Sequence, residues 1–220
     1  MRSDLAVMAR SPRLGEVKTR LAHDIGAERA HRLYGAFLHD LDARFAGARR
    51  TLVWAFHPPD VDFAAQTGTA ARCLPQRGDH LGERMRNVFQ TLCEQGFDRV
   101  IIIGADVPHV RDEWLDEAEM QLGAADVVLG PTDDGGYYLV GMRAPHDIFT
   151  GITMGTERVL RETLHKAAAR GLRAHLLPRS FDIDAGRDLV QLRAVLEARS
   201  VHLPQTATIL AELCGDIPPD

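Results

Sequence analysis

A chain of 220 residues, 45% hydrophobic and 26% charged, holds enough apolar material for one good-sized core and has the balance of an ordinary globular domain. Its formal net charge of −5 argues against a nucleic-acid surface, which would be basic, while leaving room for a local gathering of cations around a small anion. Cys73, Cys93 and Cys214 are odd in number and lack metal-ligand spacing, no apolar run reaches membrane-spanning length, and the N-terminus lacks a signal peptide's apolar core; a reduced, cytoplasmic setting without a membrane partner is expected.

Residues 4–9 form a short apolar strand. Residues 10–21 follow it, and Pro12 and Gly15 forbid a regular element through their middle, so the segment is expected as a loop. It carries four cations, Arg10, Arg13, Lys18 and Arg20, with a hydroxyl on Thr19 and with Gly15 to let backbone approach a ligand. A polyphosphate needs such groups, a point charge from lysine and a planar fork from arginine. The P-loop spacing is absent, and a solvated basic loop is the plain alternative.

Between residues 26 and 47 apolar side chains recur at three and four, the mark of a helix packed on a sheet. Residues 51–56 read as a second strand closed by His57 and two prolines, and residues 71–74 as a brief third. A polar, glycine-bearing loop from Gln76 through Gly82 then enters a helix continuing past Val88 and Leu92. That loop suits recognition of a base or an anion, or is simply a capped loop.

Val100, Ile101, Ile102 and Ile103 are β-branched and unbroken, as in a central strand buried on both faces. Gly104, Asp106 and Pro108 end it, placing Asp106 just past the carboxyl end of a strand, where open α/β sheets bind ligands. Asp106 is either a magnesium ligand or the cap of a helix beginning near Asp112. A helix is expected over 114–122 and a buried strand over 125–129. Asp133, Asp134, Gly135 and Gly136 make a tight turn, from which Tyr137 to Val140 return as a strand. A helix over 156–169, capped by Thr153 or Thr156, a strand over 173–177 and helices through 188–196 and 206–213 complete the pattern. Asp182 and Asp184, two apart on extended backbone, share one side while Ile183 faces the core.

Taken together, Gly15-Glu-Val-Lys-Thr-Arg-Leu21, Leu81-Gly-Glu-Arg-Met85, Gly104-Ala-Asp-Val-Pro108, Gly130-Pro131 and Asp134-Gly-Gly-Tyr-Tyr138 resemble the DUF2064 or CofC-like glycosyltransferase/nucleotidyltransferase family of the GT-A-like nucleotide-diphosphate-sugar transferases. The resemblance spans roughly residues 4–196. It implies an α/β fold: a single-domain, Rossmann-like αβα sandwich with a mainly parallel central sheet. Met154, where the family usually has Trp, and Ala185-Gly186, where it usually has Thr-Pro, are departures near the expected acceptor and metal positions.

The resemblance further implies a Mg²⁺-dependent (or Mn²⁺-dependent) nucleotidyltransferase. It would pass a nucleoside monophosphate from a nucleoside triphosphate to a small phosphorylated or phosphonate acceptor and release pyrophosphate. Lys18, Arg20 and Asp106 would be catalytic. Arg10, Arg13, Gly15, Lys18, Thr19, Arg20, Gln76 and Gly82 would bind the nucleotide. Asp134, Gly135, Gly136, Tyr137 and Thr156 would hold the acceptor, and Asp106 with Asp184, and Asp182 in reserve, the metal. A glycosyltransferase using a nucleotide-sugar and a non-catalytic nucleotide-binding protein are the alternatives. A homo-oligomer stays open.

Overall fold

Alternating apolar strands and amphipathic helices leave a parallel sheet as the way to bury both kinds of face at once. The computed structural model describes residues 3–47 and 49–213 and realises that arrangement. Its seven strands are β1 (Ser3–Arg10), β2 (Thr51–His57), β3 (Arg72–Pro75), β4 (Arg99–Gly104), β5 (Val127–Pro131), β6 (Tyr137–Met142) and β7 (Ala174–Leu176). They lie in the order β3-β2-β1-β4-β6-β5-β7. Every pairing is parallel except those of β6, which runs antiparallel to both β4 and β5.

The helices are α1 (Thr19–Ile25), α2 (Ala27–Phe45), α3 (Phe63–Thr67), α4 (Leu81–Glu94), α5 (Asp112–Gln121), α6 (Val159–Ala169), α7 (Asp188–Glu197) and α8 (Pro204–Glu212). Strand periodicity sorts the core into two layers. Leu5, Val7, Ile101 and Ile103 face a cluster that takes in α2, α5, α7 and α8. Ala6, Val100 and Ile102, on the opposite side of the same strands, face Val88, Phe89 and Leu92 of α4 and Ala167 of α6. β4 is therefore buried on both faces, as its unbroken β-branched run requires.

The expected elements are present, with differences at their edges. Thr19–Ile25 is helical although residues 10–21 read as a loop, and α3 was not expected. Thr156 does not cap α6: its hydroxyl donates to the Thr153 carbonyl at 3.0 Å, and the helix starts later, at Val159. Cys214 and the Pro-rich end lie outside the described residues.

The β5–β6 turn shows why two acids and two glycines sit together. One Asp134 oxygen accepts from the Thr132 hydroxyl at 2.5 Å and from the Gly136 N–H at 3.0 Å, closing the turn. Gly135 adopts φ 88°, and a side chain there would run into the Glu157 carbonyl, so only glycine fits.

Candidate functional site

Three strand ends converge on one cleft. Its volume is about 610 Å³, and its walls come from the ends of β1 and β4, the loop into α1, Gln76 beyond β3, the β5–β6 turn and the segment before α7. The end of β4 and the segment before α7 meet because the Ile183 N–H donates to the Asp106 carbonyl at 3.0 Å, while the Ile183 side chain is wholly buried. Asp182 and Asp184, on either side of it, both line the cleft. The shared orientation expected from their spacing is what the structure has.

Lys18 stands at the centre of the charge. It precedes α1 with φ 49° and ψ 45°, a left-handed conformation that costs a non-glycine residue on the order of 1 kcal/mol. Its side chain is 8% exposed, and its ammonium lies 3.1 Å from Asp184 and 3.6 Å from Asp106. Arg20, largely exposed, reaches the other Asp184 oxygen at 3.5 Å. Asp106 therefore faces Lys18, and α5 has no side-chain cap, which removes the alternative role for that acid. Three further contacts fix the acidic segment. Asp188 accepts from the Asp184 and Ala185 N–H groups at 2.8 and 2.7 Å, and Asp24 of α1 accepts from the Gly186 N–H at 2.7 Å. That bond gives Gly186 a purpose, since proline in its place would have no N–H to donate.

The two sides of the cleft differ in sign. Burial, and then the neighbouring carboxylates Asp106, Asp134 and Asp184, push the Asp182 carboxyl up to about 8, with Lys18 offsetting part of the effect. Across from it, burial and the guanidiniums of Arg84 and Arg10 pull His57 below the ordinary histidine value. Tyr34 braces the cationic side, its hydroxyl donating to the Arg10 carbonyl at 3.1 Å and accepting from the Arg10 N–H at 2.9 Å.

Of the residues singled out in the sequence, Arg10, Lys18, Thr19, Arg20, Gln76, Asp106, Asp134, Gly136, Tyr137, Thr156, Asp182 and Asp184 all line this one cleft. Four do not. Arg13 pairs with Glu16 at 3.8 Å on the surface. Gly15 and Gly135 sit in positive-φ turns beside the cleft. Gly82 lies within α4, where a side chain would press on Phe149 and Met154. Arg84, His57, Tyr34 and Met154 also line the cleft, although the sequence reading gave none of them a site role and marked Met154 only as a departure from the family pattern near the acceptor position. Arg84 and His57 carried a usable signal: a cation one turn into a helix after a glycine-bearing loop, and a strand-end histidine.

The donor chemistry admits a hard divalent cation. Asp106 and Asp184 are oxygen donors brought together by Lys18, each about 40% exposed, at 38% and 41%. Among the described residues no three carboxylate, imidazole or thiol groups form a ready-made cage. Magnesium needs none, since it uses one or two carboxylates and completes its shell with phosphate oxygens and water. The pair fits Mg²⁺ on that basis, as it would Mn²⁺, and with no Cys or paired His it does not suit Zn²⁺.

Gly104 explains itself only here. A side chain at 104 would run first into the Asp106 carboxylate, at its Oδ1. Gly104→Ala is expected to leave the fold standing, because a flexible carboxyl can yield, while displacing the one acid at the strand end. Unfolding measured beside metal binding should show a loss in the second by about tenfold or more and little change in the first.

A second expectation concerns the loop after β4. His109 is 2% exposed, stacked on Phe181 at 4.2 Å between centroids, with Nε2 3.2 Å from the Ser180 hydroxyl. Arg44 holds the same loop by donating to the Pro108 and Val110 carbonyls, each at 2.7 Å. Burial, and then the Arg44 charge, lower His109 from 6.5 to about 4. A depressed histidine contributes no penalty above its unfolded value, so stability is full above pH 6.5 and falls as pH drops toward 4. The loss reaches about 2–3 kcal/mol. Urea unfolding at pH 7.5, 6 and 5 should show a flatter decline in His109→Gln than in the wild type; parallel declines would remove His109 from the account.

Comparison with known proteins places the chain. A solved structure from Desulfovibrio desulfuricans G20, provisionally named a nucleotide-diphospho-sugar transferase, matches with a TM-score of 0.90 at 32% identity, covering 99% of this chain and 97% of that one. A 4-diphosphocytidyl-2C-methyl-D-erythritol synthase shares the fold at 16% identity, with a TM-score of 0.57 over 89% of this chain and 98% of that one. A cytidylyltransferase from Leptospira borgpetersenii does so at 13% identity and a TM-score of 0.57, over 100% of this chain and 98% of that one. No curated protein matches the chain. A family described as an uncharacterized protein conserved in bacteria, DUF2064, matches residues 40–156, just over half of the sequence. The charged cleft, the sheet order and this match belong together: the chain is a member of the DUF2064 family.

Proposed function

We propose that the chain is a metal-assisted nucleotidyltransferase, moving a nucleoside monophosphate from a nucleoside triphosphate to a small phosphorylated or phosphonate acceptor. The observation that carries this reading is the apposition of Lys18 and Arg20 to Asp106 and Asp184 at the carboxyl ends of β1 and β4. A triphosphate requires that density of cations, and Asp106 and Asp184 would hold a divalent cation that neutralises part of its charge. The cytidylyltransferases that share the fold agree with it.

In this reading Arg10, Lys18 and Arg20 bind the phosphates, with Thr19 adding a hydroxyl donor. An acceptor oxygen attacks the α-phosphorus in line, the bond from that phosphorus to the bridging oxygen breaks, and pyrophosphate leaves with the electron pair. The cations hold the charge that develops on it, and no covalent nucleophile is called for. Asp106 and Asp184 would hold Mg²⁺, which when bound neutralises phosphate charge. Asp134, Gly136, Tyr137 and Thr156 orient the acceptor from the other side of the cleft.

Glycosyl transfer from a nucleotide-sugar is the second reading, favoured by the name carried by the 32%-identical structure. One assay separates the two. Four nucleoside triphosphates are offered with phosphorylated small acids, phosphonates and sugar phosphates, and pyrophosphate release is recorded. Release that depends on acceptor and Mg²⁺ is the expected result. Release of nucleoside diphosphate from a nucleotide-sugar panel, with no pyrophosphate from any triphosphate, would replace it by the second reading.

A further inference from the structure

We propose that the acceptor carries an apolar arm beside its phosphate or phosphonate, seated on Met8, Leu81, Tyr137 and Met154, and that the site prefers an alkyl arm to a hydroxylated one. The inference rests on the cleft being a nucleotidyltransferase site. All four residues line the cleft, and none is sealed in the core. Leu81, the first residue of α4, is 47% exposed, and the other three are half-buried.

An apolar side chain left open on a central strand needs a reason. β1 lies between β2 and β4, and Leu5, Ala6, Val7 and Ala9 along it are buried. Met8 points to the α4 side of the sheet, with Ala6 and Ile102. Its register partners are Ala55 on β2 and Gly104 on β4, both too small to cover it, so it stays open to the cleft. Met154 reaches the same space from the segment between β6 and α6. A Cβ at Gly82 would lie 3.0 Å from the Met154 Cε, so the tip of Met154 rests on α4 next to Leu81. Tyr137 opens β6, and its hydroxyl is sealed from solvent, so it offers the cleft ring carbon rather than a polar tip.

Apolar groups left partly in water at one site mark the seat of an apolar ligand. Their chemistry narrows what that ligand is. A nucleobase carries donors and acceptors around its edge, and these side chains answer them with nothing but thioethers. A sugar phosphate would press hydroxyls onto the patch without partners, whereas an alkyl arm leaves nothing unpaired. The patch is also continuous with the groups that orient the acceptor: Tyr137 follows Gly136 in the β5–β6 turn, and Met154 stands two residues before Thr156. Arm and phosphate therefore belong to one molecule. Methionine tips adapt to what they touch, so the selection is by polarity rather than by shape.

The test is equilibrium binding, with Mg²⁺ present, of propyl, butyl, pentyl and hexyl phosphate. Glycerol 3-phosphate is the hydroxylated match for the first, and inorganic phosphate is the probe with no arm. Affinity should rise about two- to fourfold per methylene, and propyl phosphate should bind about tenfold more tightly than glycerol 3-phosphate. Leu81→Gln and Met154→Gln should each flatten the rise while inorganic phosphate still binds. Repeated with α,β-methylene analogues of four nucleoside triphosphates bound, the series should keep its rise. A flat series, glycerol 3-phosphate equal to propyl phosphate, or a rise untouched in both variants overturns the proposal. So does a rise abolished by a bound analogue, which would put the nucleobase on the patch. The wild-type series decides even if a variant fails to fold. A flat series with analogues bound would defeat the apolar arm alone. A rise that persists when no analogue binds would defeat the nucleotide reading and leave the patch standing.

Discussion

Replacing Lys18 by methionine is expected to move nucleotide affinity and metal affinity in opposite directions. The ammonium now stands 3.1 Å from Asp184 and 3.6 Å from Asp106, so it serves the acids as a resident counter-ion. A triphosphate entering the cleft offers Lys18 a stronger anion, and that contact contributes about 1.5–3 kcal/mol where a charge-assisted hydrogen bond forms. Without it, triphosphate binding should weaken about ten- to a hundredfold. Metal binding should respond the other way. Asp106 and Asp184 lose a positive charge at close range, and a divalent cation is the remaining means of compensating them; Mn²⁺ alone should bind at least about threefold more tightly. Calorimetric titration of the variant with triphosphate and, separately, with Mn²⁺ gives both numbers. Two affinities that fall together, or that do not move, would show that the lysine and the metal do not share these carboxylates.

Asp106→Asn and Asp184→Asn should each cost turnover by about a hundred- to a thousandfold while leaving the protein folded. Each exchange keeps shape and removes one hard oxygen donor from the pair. Neither acid is sealed in the core, so the fold should tolerate its neutralisation. The segment is separately held by the Ile183, Ala185 and Gly186 backbone bonds. Removing a carboxylate also relieves the repulsion that Asp182 feels from both neighbours. Thermal unfolding should therefore stay within a few degrees of the wild type or rise. Pyrophosphate release measured against Mg²⁺ concentration should show a loss that added metal restores only in part. Undiminished activity in Asp106→Asn would end the metal assignment, whatever Asp184→Asn does.

The lysine and the two acids differ in legibility. Asp106 could be found from the chain alone, because a double-sided apolar run followed by Gly, Asp and Pro is a local signal of a central strand stopping at a ligand-binding edge. The same holds for Asp182 and Asp184, whose spacing on extended backbone sets both on one side, and for the β5–β6 turn, whose Asp and Gly residues satisfy their own hydrogen bonds within five positions. Strand and helix identity were legible for the same reason. Periodicity of two or 3.6 is imposed by the backbone and needs no distant partner.

What the tertiary structure decided depends on contacts far apart in the chain. Lys18 meets Asp184 across 166 positions, and no local rule says whether a lysine in a cationic loop faces phosphate, water or acid. α1 escaped notice because its seven residues carry little apolar periodicity; its start is tied in place by Lys18 and Arg20 at Asp184, and its end by Asp24 at Gly186. Gly82 and Gly135, which the resemblance implies as nucleotide- and acceptor-binding, have a packing reason in Phe149 with Met154 and in the Glu157 carbonyl, neighbours brought in by the crossovers. The antiparallel insertion of β6 between β4 and β5 likewise follows from strand order. The sequence by itself determined which groups can carry charge and where each element ends. Register and crossover geometry alone determined which of those groups face one another, because electrostatic pairing and burial depend on distances that only the packed chain sets.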